Sequence, residues 1–503
     1  MKQVQSKNVE RYGVFEVTFD GKTEGNPFVD AHVSGTFSGQ DETIRADGFY
    51  DGGSTYKVRF MPSFAGRYTY RIEGSCLDEV IEGEFDVDDA KPGNHGPVSV
   101  SGTSHFAYAD ETVYTPFVTT CYVWTHQEQA LQQKTLDTLR QSAFNKIRFC
   151  IFPKHYLHNF TDPVTFPYEG TPCDRSGLTE QNFAYHGTLP GNQWDYTRFN
   201  VDHFRKIEQR IMDLMEMGIE ADLIVMHPYD CWGFSRMSRE QDQLYWEYVI
   251  ARFSAFRNVW WSLANEYDFL PEKTDEDWLF YANLLIRKDP YQRLRSVHNG
   301  TKIYDFSHDW VTHCSIQSSE TQRTQAWRDQ FQKPVVIDEM CYEGDIDQGW
   351  GNITAQEMSH RCWDVALRGG YIGHGETYVH PRDILWWSHG GDLHGESEPR
   401  IAFLRRVLEA VPGQQLKATP YSWDCISAGP EMSDDADAWR LIYFGIKRPS
   451  FRNFHFDDEH DYQVEIIDTW NMTIEDAGTH RGWFKIPLPA RQYIALRIIR
   501  KPE

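Results

Sequence analysis

Two short apolar runs that end abruptly in a carboxylate carry the most chemistry in this chain: Val259-Trp-Trp-Ser-Leu-Ala-Asn-Glu266 and Val335-Val-Ile-Asp-Glu339. A run of Val, Ile, Leu and Trp without alternation suits a strand buried on both faces, as in a parallel sheet. An unpaired charge is expensive in that interior. It fits at the C-terminal lip of the strand, where barrel enzymes keep their chemistry. Hydrolysis of a glycosidic bond needs two carboxyl groups on opposite sides of that bond. Glu266 and Glu339 are therefore the candidate catalytic pair. In a retaining reaction one attacks the anomeric carbon and the other protonates the departing oxygen, with the carboxyl groups about 5 Å apart.

The elements that must position them follow from the rhythm of the chain. From about residue 112 a strand pattern and then a helix pattern recur. Candidate strands are 115–122, 146–152, 221–227, 259–266, 295–299, 311–317, 335–340 and 371–378, and helical patterns fall at 129–142, 201–217, 239–256, 276–288, 354–368 and 400–408. Eight strands alternating with helices predict an α/β chain built on a central (β/α)8 TIM barrel. Glu266 then ends the fourth strand and Glu339 the seventh, nearly across the barrel from each other. A Pro-, Gly- and aromatic-rich insertion at 153–200 follows the second strand; long loops there belong to the catalytic face and are expected to shape the pocket. Residues 8 to about 90 alternate as short strands and predict an N-terminal immunoglobulin-like β-sandwich. Trp439-Arg-Leu-Ile-Tyr-Phe-Gly, Tyr462-Gln-Val-Glu-Ile-Ile-Asp and Tyr493-Ile-Ala-Leu-Arg-Ile-Ile predict a second, C-terminal β-sandwich. The expected domains are 1–92, 93–411 and 412–503.

Other strand-end residues supply candidates for binding. His227, His298 with Asn299, and His374 are expected to orient carboxylates and sugar hydroxyls. No HExxH or comparable short spacing is present, so no metal and no cofactor is expected. Trp124, Tyr229, Trp232, Tyr342, Trp350 and Trp386-Trp387 fall in predicted loops on one face, where a sugar ring could stack. Trp260 and Trp261 lie inside a strand and are expected to pack. Glu376 and Glu343 compete as carboxylates; Glu376 is expected to bind a sugar hydroxyl or position a neighbour. Asp338 is expected to point away from Glu339, because side chains alternate along a strand.

The Asn265-Glu266 pair on the fourth strand, with a second Glu on the seventh, resembles glycoside hydrolase clan A, the 4/7 superfamily of retaining barrels. The resemblance implies Glu266 as acid/base, Glu339 as nucleophile and Asn265 as a partner of the sugar 2-hydroxyl. It also implies an Arg near the nucleophile at the end of the second strand, and Arg148 lies there. The whole chain is similar to uncharacterised bacterial glycosidases with an N-terminal sandwich, a barrel and a C-terminal β domain. The matching signatures are Asn26-Pro-Phe28, Gly48-Phe-Tyr-Asp-Gly52, Tyr342-Glu-Gly344, Gly373-His-Gly-Glu-Thr-Tyr378 and Leu385-Trp-Trp387.

Composition narrows the partners. The formal net charge of −24 argues against nucleic acid or an anionic membrane surface. The 17 Trp, 26 Tyr and 31 Phe suit both large cores and sugar platforms. Nine scattered cysteines form no CxxC pair, and no uncharged run is long enough for a bilayer. The segment Met1-Lys-Gln-Val-Gln-Ser-Lys has no apolar core of a signal peptide, so a cytoplasmic location is expected. No G-x-S-x-G elbow, P-loop or strand-linked G-x-G-x-x-G occurs. The expected function is a retaining β-glycoside hydrolase acting exo-wise on an oligosaccharide or glycoside, with a homo-oligomer left open. The alternatives are a non-catalytic carbohydrate-binding barrel, or an inverting hydrolase or transglycosidase.

Overall fold

The computed structural model describes residues 2–4, 8–185, 187–379, 385–420, 424–433, 435 and 437–502. Four of the first seven residues, read above for an export signal, lie outside that set. Eight parallel strands form the centre: β1 (Phe117–Thr120), β2 (Lys146–Cys150), β3 (Glu220–Met226), β4 (Val259–Ala264), β5 (Arg295–Ser296), β6 (Cys314–Gln317), β7 (Val335–Glu339) and β8 (Tyr371–His374). Their order is β5-β4-β3-β2-β1-β8-β7-β6. The two edges, β5 and β6, meet only through a parallel bridge between His298 and Ser315, so the barrel is nearly closed. Helices α1 (Gln129–Gln141), α2 (Val201–Glu216), α3 (Arg239–Phe253), α4 (Asp275–Lys288), α5 (Thr324–Phe331), α6 (Ala355–Leu367) and α7 (Ser397–Glu409) surround it. Ser238 with Gln241 and Thr274 with Asp277 start α3 and α4 as capping boxes.

Three expectations about the barrel need correction. The fifth strand shrinks to Arg295–Ser296, with no helix between β5 and β6 among the described residues. Instead Asp268 accepts the backbone N–H groups of Gly300, Thr301 and Lys302 at 2.5, 2.8 and 2.7 Å and fixes the loop there. Helix α5 was not expected; its buried face is only Thr324, Trp327 and Phe331, too few apolar positions to read as a periodic stripe. The eighth strand stops at His374 and resumes as Glu376–Thr377 paired with Glu343–Gly344. The break is at Gly375, where a Cβ would lie 2.1 Å from the Tyr342 ring.

The barrel is plugged at its N-terminal end by the hairpin Val98–Ser101 and His105–Tyr108, which sets Phe106 5.1 Å from Trp260. Above that plug the interior is charged. Lys146 and Arg148 of β2, Asp222 of β3 and Asp338 of β7 are all buried, with Lys146 Nζ 2.6 Å from Asp222. Trp260 and Trp261 pack as expected and hydrogen-bond Glu220 and Asp289 at 2.8 and 3.1 Å.

Before the barrel, a sheet carrying Phe15–Asp20 and Thr55–Phe60 faces a five-stranded sheet carrying Val33–Ser38, Gly66–Gly74 and Ile81–Asp88. Both feed one core, with the rings of Phe15 and Phe85 stacked 3.7 Å apart. After the barrel comes a six-stranded sheet with a two-stranded companion, around Ile442, Phe454, Ile486 and Leu496. The N-terminal sheets are held to the barrel by buried charge. Arg59 bonds Glu208 of α2 at 2.6 Å, and Arg252 of α3 bonds Asp51 and Glu208 at 2.8 Å each. Burial alone would raise the Glu208 carboxyl, but Arg59 and Arg252 outweigh it and hold it below its ordinary value. The latch is therefore intact above the ordinary carboxylate pKa and is lost as pH falls through the depressed one. Arg59→Met removes one of two cations from each of two buried carboxylates, leaving Glu208 with Arg252 at 2.8 Å and Glu16 with Lys57 at 3.1 Å. The expected cost is about 1–3 kcal/mol, read as a lower Tm by calorimetry; an unchanged Tm would remove the latch from the stability of the chain.

Candidate active site

Glu266 and Glu339 line one cavity of about 770 Å³ at the C-terminal mouth of the barrel. Glu266 follows β4 in a left-handed conformation, φ 50° and ψ 56°, a strained turn for a residue with a Cβ. That turn aims its carboxyl along the mouth instead of letting the strand carry it onward. Asn265 Nδ2 donates to Glu266 Oε2 at 3.0 Å and Gln317 Nε2 to Oε1 at 3.2 Å. Glu339 ends β7. Its Oε1 accepts from the Tyr122 hydroxyl and from Arg148 Nη1 at 3.1 Å, and His298 Nε2 stands 3.2 Å away.

Arg148 ties the two carboxyls together. Its Nη2 donates to Asn265 Oδ1 at 3.0 Å, so one guanidinium reaches Glu339 directly and Glu266 through the Asn265 amide. Asn265 is wholly buried and stands behind the cavity wall, not on it. Asp338 does not turn away as strand alternation predicts. Its carboxylate lies 3.8 Å from Arg148 Nε inside the barrel, and Ser315 donates to it. The register of β6 against β7 shifts between Ser315 and Gln317, which lets adjacent residues of β7 both serve the interior.

The other expected site residues divide. Tyr229, Tyr342, Trp350 and Trp387 line the cavity. Trp124 and Trp232 do not: both are buried in the core around the barrel, Trp124 edge-on to Phe149 and Trp232 under Arg175. Trp386 is buried too and donates to Thr119 Oγ1 at 2.8 Å. His227 lies behind the wall, 3.3 Å from the Phe152 carbonyl, its pKa pushed by burial down to about 3. Asn299 holds the backbone of Gln317 at both N–H and C=O, 3.1 and 3.0 Å, and so aims the Gln317 side chain at Glu266. His298 bonds Ser315 at 3.1 Å through Nδ1. Glu376, the competing carboxylate, lies outside the cavity and accepts the backbone N–H groups of His394 and Gly395. His374 is likewise outside, stacked 4.7 Å from Phe144.

Sequence reasoning missed Tyr122, Gln317 and Lys154. Tyr122 and Gln317 close expected strands with a polar group, the same signal that singled out the two glutamates. Lys154 had no such signal, lying in the insertion after β2. Its ammonium sits 3.3 Å from the Tyr122 ring centre and 4.3 Å from that of Tyr229. Tyr156 and Tyr185 of the same insertion complete that wall.

The family model described as apiosidase-like, catalytic domain, matches residues 117–424. The chain belongs to that family. Two domains of unknown function flank the match, one at residues 8–75 and one at 423–499. A candidate glycoside hydrolase from Bacteroides vulgatus ATCC 8482 is 35% identical over 99% of this chain and 100% of its own, with a TM-score of 0.90. A family 5 glycoside hydrolase from the same organism shares the fold at 12% identity, a TM-score of 0.60, and 82% and 95% of the two chains. No curated protein matches the chain. This apiosidase-like protein is a glycoside hydrolase.

In the apiosidase-like barrel, two carboxyls in one cavity are driven apart electrostatically. Burial raises the Glu266 pKa, and the negative charge of Glu339 raises it further. Burial would raise Glu339 as well, but His298 and Arg148 outweigh it and hold that carboxyl well below its ordinary range. Burial would also discharge Arg148, yet Asp338 and Glu339 keep it charged. Lys154 is pulled down by burial against the opposing pull of Glu266.

Proposed function

We propose that this protein is a retaining β-glycoside hydrolase that removes terminal sugars, with Glu339 as nucleophile and Glu266 as acid/base. The observation that carries the proposal is the split between the two carboxyls of one cavity: Glu339, bonded by Arg148 and faced by His298, is held well below the ordinary glutamate pKa, and Glu266 beside it is raised above it. A Glu339 oxygen attacks the anomeric carbon while the glycosidic C–O bond breaks and the Glu266 proton passes to the departing oxygen. Water then attacks the glycosyl ester, giving its proton to Glu266 and releasing Glu339 as carboxylate. Tyr229, Trp350 and Trp387 supply ring faces for the sugar. The insertion after β2 walls the cavity with Lys154, Tyr156 and Tyr185, which supports a blind pocket and exo action. The β sheets on either side of the barrel are taken as sandwich domains, and the substrate as an oligosaccharide or glycoside. The family name puts a terminal apiosyl unit first among the sugars to test.

The test is proton NMR of the first product from a panel of aryl β-glycosides that includes the apioside. The β anomer should appear first and mutarotate afterwards; an initial α anomer would make the reaction inverting. Release of single sugars from chain ends is expected, and fragments cut from the middle of a polymer would refute exo action.

A further inference from the structure

Outside the catalytic cavity, the break in β8 assembles a second polar centre that the proposed reaction does not use. His374 and Glu376 lie two residues apart on one face of the eighth strand, and Glu343 pairs beside Glu376 across the short parallel bridge. All three are buried, and each offers one ligand atom within 4.8 Å of the others. Both carboxylates are cradled by the backbone of one loop. Glu376 accepts from His394 and Gly395, and Glu343 accepts from Glu396 and Ser397 at 2.8 and 3.0 Å. Gly395 permits this approach, since a Cβ there would stand 2.5 Å from the Glu343 carboxyl.

Backbone donors use one lone pair on each of these oxygens, which leaves one open on Glu343 Oε2 and on each Glu376 oxygen. Tyr378 also donates to Glu343, at 3.1 Å. Among the described residues no side-chain cation pairs with these two adjacent buried carboxyls, so the pair must hold either a proton or a cation. The imidazole points to the cation. Nδ1 of His374 bonds Thr119 Oγ1 at 3.2 Å, whereas Nε2 is buried with no partner among the described residues. An oriented Nδ1 bond that frees Nε2 is the arrangement found in metal-binding histidines. One nitrogen and two carboxylates form a mixed set that suits zinc or manganese better than calcium, which takes oxygen ligands alone.

We propose that Glu343, His374 and Glu376 bind a divalent transition-metal cation of the zinc or manganese type. The ion joins β8 to the loop after β7 and to the N-terminus of α7. The site lies behind the cavity wall, so the ion is structural and the proposal is independent of the assignment of Glu266 and Glu339.

The test uses the full chain, stripped with a chelator and then given Zn²⁺, Mn²⁺ or Ca²⁺ alone. Elemental analysis should find one Zn²⁺ or Mn²⁺ per chain, with Tm raised by a few degrees. Ca²⁺ should be retained far less. Co²⁺ should show visible bands of mixed nitrogen and oxygen coordination, lost in His374→Gln. Absence of stoichiometric Zn²⁺ and Mn²⁺ from the wild type overturns the proposal, and so does equal retention by a folded His374→Gln chain. If that variant does not fold, the wild-type Co²⁺ spectrum decides, because bands without nitrogen coordination exclude His374 as a ligand.

Discussion

Glu339→Gln is expected to lower kcat/KM by roughly 10⁴-fold or more while leaving the chain folded. An amide oxygen is a poor nucleophile and cannot form the glycosyl ester at a useful rate. The fold should survive because the amide keeps the shape of the carboxyl and its oxygen still accepts from Tyr122 or Arg148. Arg148 also keeps two carboxylate neighbours, Asp338 at 3.8 Å and Asp222 at 4.0 Å from Nε. Turnover of an activated aryl glycoside, with Tm measured in parallel, separates the two readings. A folded variant that retains activity would move the nucleophile to another carboxyl. Glu376 is poorly placed for that part: its oxygens face the backbone of His394 and Gly395, and burial pushes its pKa up to about 8.

Glu266→Ala should slow glycosides with poor leaving groups by about 10²–10⁴-fold, the range of a lost general acid. Substrates whose leaving group needs no proton should still form the glycosyl-enzyme, and its hydrolysis should then limit turnover. Azide fits the space the carboxylate vacates and needs no base, so it should restore the rate and yield the β-glycosyl azide. Failure of azide to rescue a folded variant would count against Glu266. The pH profile carries the same assignment. Activity needs Glu339 ionised, so the acid limb falls only below its depressed pKa. It also needs Glu266 protonated, so the alkaline limb falls as pH rises through a pKa lifted by burial and by the Glu339 charge. The active window therefore extends on both sides of an ordinary glutamate pKa. The alkaline limb should vanish in Glu266→Ala with an activated substrate.

Much of this site could be read from the chain because its logic is local. A strand buried on both faces must be apolar, so the first carboxylate after such a run marks the mouth. That rule brought Glu266 and Glu339 to the cavity, whereas Arg148 came from the family resemblance; widened to any polar group that closes a strand, the rule would have added Tyr122 and Gln317. It failed where position along a strand does not decide direction. Trp124 follows β1 closely, yet a short 3-10 turn at Trp124–His126 carries it into the core. Trp232 is on a loop of the right face, and its ring is spent on packing under Arg175. Asp338 entered the barrel instead of leaving it, because the irregular β6 register breaks strict alternation at the mouth.

The alternation of apolar runs and amphipathic helices was enough to determine eight parallel strands around one centre and the two glutamates at its rim. Backbone periodicity and the cost of burying charge act within a few residues, so sequence alone states them. The tertiary structure decided which polar groups share a space. Arg148 meets Asn265, Glu339 and Asp338 across three strands, and Lys154 reaches the cavity from a loop with no period of its own. The centre of Glu343, His374 and Glu376 exists only because Gly375 breaks the strand and lets a loop fold against it. Such meetings depend on long-range packing and electrostatic balance, which no spacing along the chain records.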